Sequence, residues 1–307
     1  MGIFKFSLLA LLSFVSLQTY SQSKEQLNLD TQVLDLQCKE GLSEACLKLG
    51  SMYYAGYGID RNYDKSALLY GKACEGGELT GCALLGLIHH DGLTGKQDYK
   101  VSVELYKKSC EGGIAFGCYS LGKNYLGGDG VKQDLKDAGR YFSLGCRLGL
   151  AASCFEEGKI YEKSSLKDHD KQALRLYDKA CSLGDVQGCT KVGVIFMENK
   201  TPNYEKAIPY LDKACAKGGA EGCLFLGAIY QYGMGVKIDL KKGSNFYWKA
   251  CSKDEALGCQ FLGDMYINET KLQDEFKALS FYDRGCKLND ELSCIRFNTI
   301  KNNLDKD

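Results

Sequence analysis

The feature that most constrains this chain is a recurring pair of cysteines. All 16 cysteines fall into pairs whose members are separated by seven residues, a C-x7-C pattern. The second cysteine of a pair opens a unit of 34 to 36 residues, and seven such units follow one another. Self-similarity at this period is typical of solenoids built from helical hairpins. The pairs are Cys38/Cys46, Cys74/Cys82, Cys110/Cys118, Cys146/Cys154, Cys181/Cys189, Cys215/Cys223, Cys251/Cys259 and Cys286/Cys294.

Each unit has the pattern of two amphipathic helices, A and B. In the first unit, Leu49, Met52 and Tyr53 lie at i, i+3 and i+4 of helix A, which predicts one apolar helix face. In helix B a small residue precedes a large ring by one turn, as in Ser66 and Tyr70, and this spacing favours interlocking helices. The predicted fold class is therefore all-α, an αα-hairpin repeat solenoid. The predicted repeats are 46–81, 82–117, 118–153, 154–188, 189–222, 223–258 and 259–293.

Two smaller signals support the helix assignment. A glycine stands inside every helix A, and because glycine weakens a helix by about 1 kcal/mol, we expect it to permit a close helix approach. Helix B starts after a residue that favours helix N-caps, with His169-Asp170 in that place in the fourth unit. The other predicted N-caps are Asn62, Asp98, Asp134, Asn203, Asp239 and Asp274.

The two ends of the chain differ from the repeats. Residues 1–21 combine Lys5, an apolar run from Leu8 to Leu17 and small residues around Ser21, as in a secretory signal peptide. We expect 22–45 to form an N-terminal capping helix and 294–307 a C-terminal capping helix. Outside 1–21 no apolar run is long enough to span a bilayer, and the formal net charge is zero. The sequence thus predicts a secreted or periplasmic monomer without affinity for nucleic acid.

Cysteines at this density in an exported chain indicate disulfides. Zinc sites use two to four residues between ligands, so the sequence predicts no metal, and no motif indicates a cofactor. Two pairings are open. Bridges within a unit, such as Cys46 to Cys74, would leave Cys38 and Cys294 alone, whereas bridges across each C-x7-C turn leave no orphan.

A resemblance emerges from the pattern L-G-x-x-Y-x-x-G-x-G-V-x-x-D, seen in 121–134 and 226–239. It resembles the Sel-one-like repeat, a relative of the tetratricopeptide repeat. Together with C-x7-C in every unit, it makes the chain similar to the Helicobacter cysteine-rich proteins. The resemblance implies a right-handed superhelix, one bridge across each C-x7-C turn, and secretion. It also implies recognition by a host and weak penicillin binding or hydrolysis.

In every repeat, three residues share one face of helix A: those that stand 2, 5 and 9 positions after the second cysteine of the pair. Their identities vary between repeats. We call this face the helix-A stripe. In related solenoids helix A lines the concave side, so the stripe is the predicted surface for a peptide, a cell-wall fragment or a host protein. Its middle is cationic and its C-terminal end aromatic. Asn124 replaces an apolar residue in the adjacent column, and either binds internal partners or contacts a ligand backbone. The predicted binding residues are Lys123, Asn124, Lys159, Lys163, Lys191, Phe225 and Tyr232.

The alternative function is a slow β-lactamase or a penicillin-binding protein, acting on β-lactams or peptidoglycan. Such enzymes need Ser-x-x-Lys with Ser-Asp-Asn and Lys-Thr-Gly elements. Ser120/Lys123 and Ser164/Lys167 match the first element only. Ser120 and Lys123 lie on the helix-A stripe and are the catalytic candidates. His89 and His90 precede Asp91, but His89 occupies a ring column, which favours a packed imidazole.

Overall fold

The computed structural model describes residues 29–164, 168–269 and 273–304, and these contain sixteen helices and no strand. The chain divides into two compact units, which meet in sequence at Leu148 and Gly149. The predicted signal peptide, 1–21, lies outside the described residues. The first unit contains α1 (29–39), α2 (Ser43–Ala55), α3 (Tyr63–Glu75), α4 (Leu79–Asp91), α5 (Tyr99–Glu111), α6 (Ala115–Gly127) and α7 (Leu135–Arg147).

The second compact unit, which begins at Gly149, continues the same alternation of helices A and B. It contains α8 (Ala151–Glu162), α9 (His169–Ser182), α10 (Val186–Glu198), α11 (Tyr204–Ala216), α12 (Ala220–Tyr232), α13 (Leu240–Ser252), α14 (Ala256–Asn268), α15 (Glu275–Lys287) and α16 (Glu291–Leu304). Within each unit, helix A packs more extensively on helix B of its own repeat than on the preceding helix B. The predicted all-α repeat of helical hairpins is confirmed.

Disulfide bridges cross the turn from one helix B to the next helix A. Seven described bridges join cysteines eight positions apart, with Cα–Cα distances between 4.5 and 4.7 Å. Cys146 and Cys154 are also disulfide-bonded. The pairing across the turn is therefore confirmed for these seven pairs, and the within-unit alternative is wrong for them. The seven bridges are Cys38–Cys46, Cys74–Cys82, Cys110–Cys118, Cys181–Cys189, Cys215–Cys223, Cys251–Cys259 and Cys286–Cys294.

The second cysteine of a pair lies inside the first turn of helix A, not at its start. The sequence analysis begins each repeat at this cysteine, whereas each helix A begins three residues earlier, as at Val186 for the fifth repeat. The helix starts earlier because the tight turn that precedes it is complete by then. In all seven repeats this cysteine is at most 2% exposed, so the bridges belong to the core and not to a surface site. These cysteines are Cys46, Cys82, Cys118, Cys154, Cys189, Cys223 and Cys259.

One left-handed residue makes each of these turns tight. It stands three positions after the first cysteine, with φ between 61° and 102°. Glycine adopts this conformation without steric strain, and asparagine and aspartate tolerate it better than other residues. The reversal brings the end of helix B beside the start of helix A, where the cysteines meet. The residues are Gly41, Gly77, Gly113, Gly149, Gly184, Gly218, Asp254 and Asn289.

In six of the seven repeats the core contains a ring packed against the glycine of helix A. Tyr70 is 1% exposed, and a Cβ built on Gly50 would lie 2.8 Å from its Cδ1 atom. The same close approach recurs between Gly86 and Tyr106. In the fifth repeat Leu211 takes the place of the ring, 2.6 Å from the position of a Cβ on Gly193. The glycine of helix A therefore permits the close approach that the sequence predicts.

The capping of helix B follows the prediction in six repeats, where the Asn or Asp side chain accepts a hydrogen bond from a backbone N–H two or three residues on. The assignment in the fourth repeat is wrong. His169 is already the first residue of α9, and the cap is Asp168, at φ 61° and without a side-chain cap bond. The backbone still starts the helix there, because the Asp168 carbonyl accepts a hydrogen bond of 3.1 Å from the Gln172 N–H.

The N-terminal helix α1 closes the first repeat. Leu34 and Cys38 pack against the cluster around Leu49, whereas Leu36 is 60% exposed. At the other end α16 is joined to α15 by the bridge Cys286–Cys294, and its Arg296 forms an ion pair with Asp264 of α14.

Candidate functional site

In the first compact unit the helix-A stripe has the cations Lys48, which is paired with Glu44, and Lys123 of the third repeat. Lys123 lies on α6 and is exposed. Ser120, three residues earlier, is 7% exposed and forms a side-chain hydrogen bond with Tyr106 of the preceding repeat. Burial raises the pKa of the Tyr106 hydroxyl well above its ordinary value, although the contact with Ser120 lowers it in part. Ser120 is thus a buried partner of a core tyrosine.

This burial bears on the hydrolase alternative. A serine nucleophile must be exposed to its substrate and must contact a base, and Ser120 instead contacts a phenol. Lys167 of the second Ser-x-x-Lys match lies outside the described residues. Within the part of the chain that the structure describes, no group of three or more His, Cys, Asp or Glu residues could hold a metal ion. The hydrolase alternative gains no support from this geometry.

Asn124 is an internal residue of the third repeat. It is 1% exposed, and its Nδ2 donates to the Asp129 carbonyl at 3.0 Å and to Ser102 Oγ at 3.4 Å. Its Oδ1 has no hydrogen-bond partner among the described residues. Of the two interpretations of Asn124, internal partners and ligand contact, the geometry supports the first. The amide fixes the loop after α6 because it bonds the carbonyl of Asp129.

His90 belongs to a small polar cluster that the same loop completes. Its Nδ1 lies 2.8 Å from Asp91 Oδ1, and its Nε2 lies 3.9 Å from Asp129 Oδ2. The ring meets that of Tyr99 edge to face, with centroids 5.1 Å apart. His89 is half-buried on α4. These contacts anchor the loop of one repeat on the preceding repeat.

The cationic part of the stripe in the second unit is largely neutralised. Lys159 Nζ lies 3.0 Å from Glu156 Oε2 on the same helix. Lys191 Nζ on α10 lies 3.1 Å from Glu162 Oε1 on α8. Lys163 is exposed at the end of α8. Two of the three lysines therefore already have a carboxylate partner, which the sequence alone did not reveal.

Glu162 connects this ion pair to the core. Its Oε2 accepts a hydrogen bond of 2.7 Å from the Tyr177 hydroxyl. Burial alone would raise the pKa of Glu162, but the hydrogen bonds from Tyr177 and Lys191 and the charge of Lys163 hold it below its ordinary value. Glu162 is thus ionised at neutral pH and sets the position of Lys191.

The aromatic end of the stripe presents one exposed ring. Phe225 is half-buried against the cluster around Leu226, and Phe261 packs on Tyr247 with ring centroids 5.4 Å apart. Tyr232 is 62% exposed at the end of α12. Of the predicted aromatic contacts, Tyr232 is the one whose ring is mostly open to solvent.

Comparison with known proteins places this geometry in a family. The Sel1 repeat family model matches 43–78, 80–114, 115–150, 150–185, 187–219, 220–255 and 256–290. No curated protein matches the chain in sequence. Among the described residues, no helix combines the length and apolar character needed to cross a membrane.

Two solved structures share this fold, and a third is similar in sequence over part of the chain. A protective antigen present in uropathogenic Escherichia coli strains, displaying an SLR fold, is 23% identical with a TM-score of 0.74; the match covers 88% of this chain and 59% of the antigen. A Sel1 repeat protein from Oxalobacter formigenes is 21% identical with a TM-score of 0.68, over 78% of this chain and 99% of that protein. Helicobacter pylori cysteine rich protein B is 34% identical over 42% of this chain and 96% of its own length, with a TM-score of 0.35. Because the family model matches most of its length, this chain belongs to the Sel1 repeat family.

Proposed function

We propose that this protein is a disulfide-bridged scaffold whose helix-A stripe binds a peptide or protein ligand. One observation supports this most directly. Positions beside the stripe, such as Leu121 at 1% and Leu226 at 0% exposure, are buried and apolar in most repeats. The stripe positions are mostly exposed or half-buried and change from repeat to repeat. Core packing explains why the buried positions are alike in successive repeats. It does not explain the variation of the stripe, which is expected of a surface that binds a ligand. Sel1 repeats are generally protein-interaction modules.

The charges on the stripe indicate which ligands it favours. Lys123 offers an exposed ammonium group in the first unit, and Lys163 another in the second. A carboxylate, such as the C-terminus of a peptide, is the complementary group. An exposed lysine–carboxylate contact contributes about 0–1 kcal/mol, so apolar contacts such as Tyr232 would supply most of the affinity. Lys159 and Lys191 would add less, because a ligand must compete with Glu156 and Glu162 for them.

We infer further that the protein acts in an oxidising compartment, the periplasm or the extracellular medium. Disulfides persist in such compartments and are rare in the reducing cytosol. Seven described bridges and the absence of free cysteines among the described residues support this location. Thiol labelling of protein taken directly from cells and from the medium tests it. Unreacted cysteines in the exported fraction are expected, and labelled thiols in that fraction would contradict the inference.

Binding is tested with one stripe lysine changed in each unit. Lys123→Ala and Lys159→Ala are combined and titrated by calorimetry with a carboxylate-ended peptide and with a penicillin. The matched control combines Lys136→Ala and Lys213→Ala, two exposed lysines of helix B that give the same change in net charge. The stripe variant alone is expected to bind the peptide more weakly and with less dependence on salt, because it has lost the charge contacts that salt screens. Equal binding by parent, stripe variant and control would place the site elsewhere.

A further inference from the structure

A second surface with the properties of a binding site lies between helix B of the sixth repeat and helix A of the seventh, away from the helix-A stripe positions. It is a groove of about 540 Å³, which falls in the range of pockets that hold small ligands or a few side chains. One wall is a face of α13 that includes Lys241, Asn245 and Trp248, and Leu262 and Tyr266 of α14 complete it. We call it the Trp248 groove.

Trp248 is the single tryptophan of the chain and is 53% exposed. The equivalent position, nine residues after the helix N-cap, is Asp212 in the fifth repeat and Asp283 in the seventh. The repeat fold therefore does not require an aromatic residue here. Binding hot spots are enriched in tryptophan, because its large rigid ring buries much surface at little cost in conformational entropy. An exposed tryptophan beside a cavity therefore indicates a binding site.

The fifth repeat provides a comparison within the same chain. Its α11 lines a groove of similar size, about 610 Å³, with Asn203, Glu205, Lys206 and Pro209. At the positions of Lys241, Asn245 and Trp248 it carries Glu205, Pro209 and Asp212. That groove is completed by Phe196 and Tyr210 of the fifth repeat itself. The ring, the amide and the cation at these three helix positions belong to the sixth repeat alone of these two.

The charge of the Trp248 groove favours an anionic occupant. Lys241 and Lys242 are exposed, and Lys242 Nζ lies 5.0 Å from the centre of the Tyr230 ring. The carboxylate in the lining, Asp239, already accepts a hydrogen bond of 2.9 Å from the Lys242 backbone N–H as the helix cap. The groove therefore offers more uncommitted positive than negative charge to a ligand.

The spacing of the α13 residues matches an extended peptide. Lys241 and Trp248 are seven residues apart on one helix face, which corresponds to about 10 Å along the axis. Three residues of an extended chain also span about 10 Å. A carboxylate at Lys241 would thus be followed, three residues along, by an apolar side chain against Trp248. Asn245 lies between them and has both a donor and an acceptor for a peptide bond.

We infer that the Trp248 groove binds a short acidic peptide segment in which a carboxylate and an aromatic side chain are three residues apart. This site goes beyond the helix-A stripe and does not depend on it. Trp248 supplies the apolar contact, Lys241 the charge contact and Asn245 a backbone hydrogen bond.

The single tryptophan makes the test direct, because its emission reports on this groove alone. The oxidised full chain is titrated with the blocked peptide Glu-Asp-Ala-Ser-Phe-Ala and with its reversed sequence, since the groove does not fix chain direction. At least one should shift the emission to shorter wavelength in a saturable way, and added salt should weaken the binding. The peptides with Gln-Asn for Glu-Asp, or Ala for Phe, should bind more weakly.

Variants of the protein test whether the peptide binds in the Trp248 groove. Lys241→Glu introduces the residue that the fifth repeat already carries, so the fold tolerates it, and it should weaken binding about fivefold or more. Lys206→Glu makes the same charge change in the groove of the fifth repeat and should leave binding unchanged, as should Lys123→Ala with Lys159→Ala. Calorimetry should show that Trp248→Ala abolishes binding. The inference is overturned if neither peptide shifts the emission, if the uncharged peptide binds equally well, or if only an acidic oligosaccharide binds.

Discussion

The close approach of glycine and ring gives a sharp prediction in the first repeat. In Gly50→Ala the new Cβ would lie 2.8 Å from Tyr70 Cδ1 and 2.9 Å from Cε1, closer than a carbon–carbon contact permits. In Gly71→Ala the nearest atom would be Leu85 Cδ2 at 3.9 Å, an ordinary contact. Both glycines stand inside helices of the same repeat, so both variants gain the same helix propensity.

The magnitude follows from two opposing effects. Replacing a helical glycine by alanine stabilises by about 1 kcal/mol, so Gly71→Ala should raise the free energy of unfolding by that amount. Overpacking a filled core costs about 1–3 kcal/mol, which should cancel or exceed the gain in Gly50→Ala. Because the propensity term is common to both, the difference between the variants isolates the overpacking cost, again about 1–3 kcal/mol.

Urea unfolding of the oxidised protein, followed by circular dichroism, measures this difference. The slope of the free energy of unfolding against urea concentration should be the same for both variants, so that a shift of the midpoint reports stability. Removing the ring provides the internal control. In a Tyr70→Ala background the two contacts below 3 Å are gone and the nearest of the remaining atoms is Leu69 Cβ at 3.3 Å, so Gly50→Ala should then be less destabilising or stabilise. The reasoning fails if Gly50→Ala stabilises the parent as much as Gly71→Ala does, or if its effect is unchanged without the ring.

Three further predictions concern the bridges and the titrating groups. Replacing Cys110 and Cys118 together by Ala should lower the free energy of unfolding by about 2.5 kcal/mol, and an unchanged urea midpoint would show that packing alone closes that turn. Glu162→Gln should destabilise by less than about 1 kcal/mol at pH 7, since the side chain is 40% exposed; because its folded pKa is lowered, the difference from the parent should disappear as the pH falls below 4.5. Burial raises the pKa of four core tyrosines above the ordinary value of 10, so they favour the fold below pH 10 and this contribution is lost as the pH rises. Their phenolate absorbance should appear together with loss of helix, after that of exposed rings such as Tyr232, and ionisation of these four while the helices persist would contradict the prediction. The four are Tyr106, Tyr177, Tyr247 and, at about 12, Tyr282.

Most of the fold could be predicted from the periodic pattern of residues within one repeat. The order of helices, the turn bridges and the pairing of Gly50 with Tyr70 depend on residues close in sequence, so one repeat predicts the next. The left-handed position after the first cysteine was also present as a signal, in Gly77 for example. It was missed because Asp254 and Asn289 break the glycine column, although both residue types tolerate that conformation.

The candidate site was less predictable, because its contacts join different repeats. The partner of Ser120, Tyr106, lies on the preceding helix B, and Lys191 is paired with Glu162, 29 positions earlier. Such contacts depend on how successive hairpins stack, which the pattern within a repeat does not determine. The stripe thus has fewer free cations than the sequence indicated.

The position of the disulfides determines what a protease can do to this protein. Each described bridge encloses only the turn between one helix B and the next helix A. A cut between Cys74 and Cys82 would leave both fragments covalently joined, and they would separate only after reduction. A cut in the loop between helices A and B of one repeat, where no described bridge spans, would leave noncovalent packing alone to hold the fragments together. The turns can therefore be nicked without division of the chain.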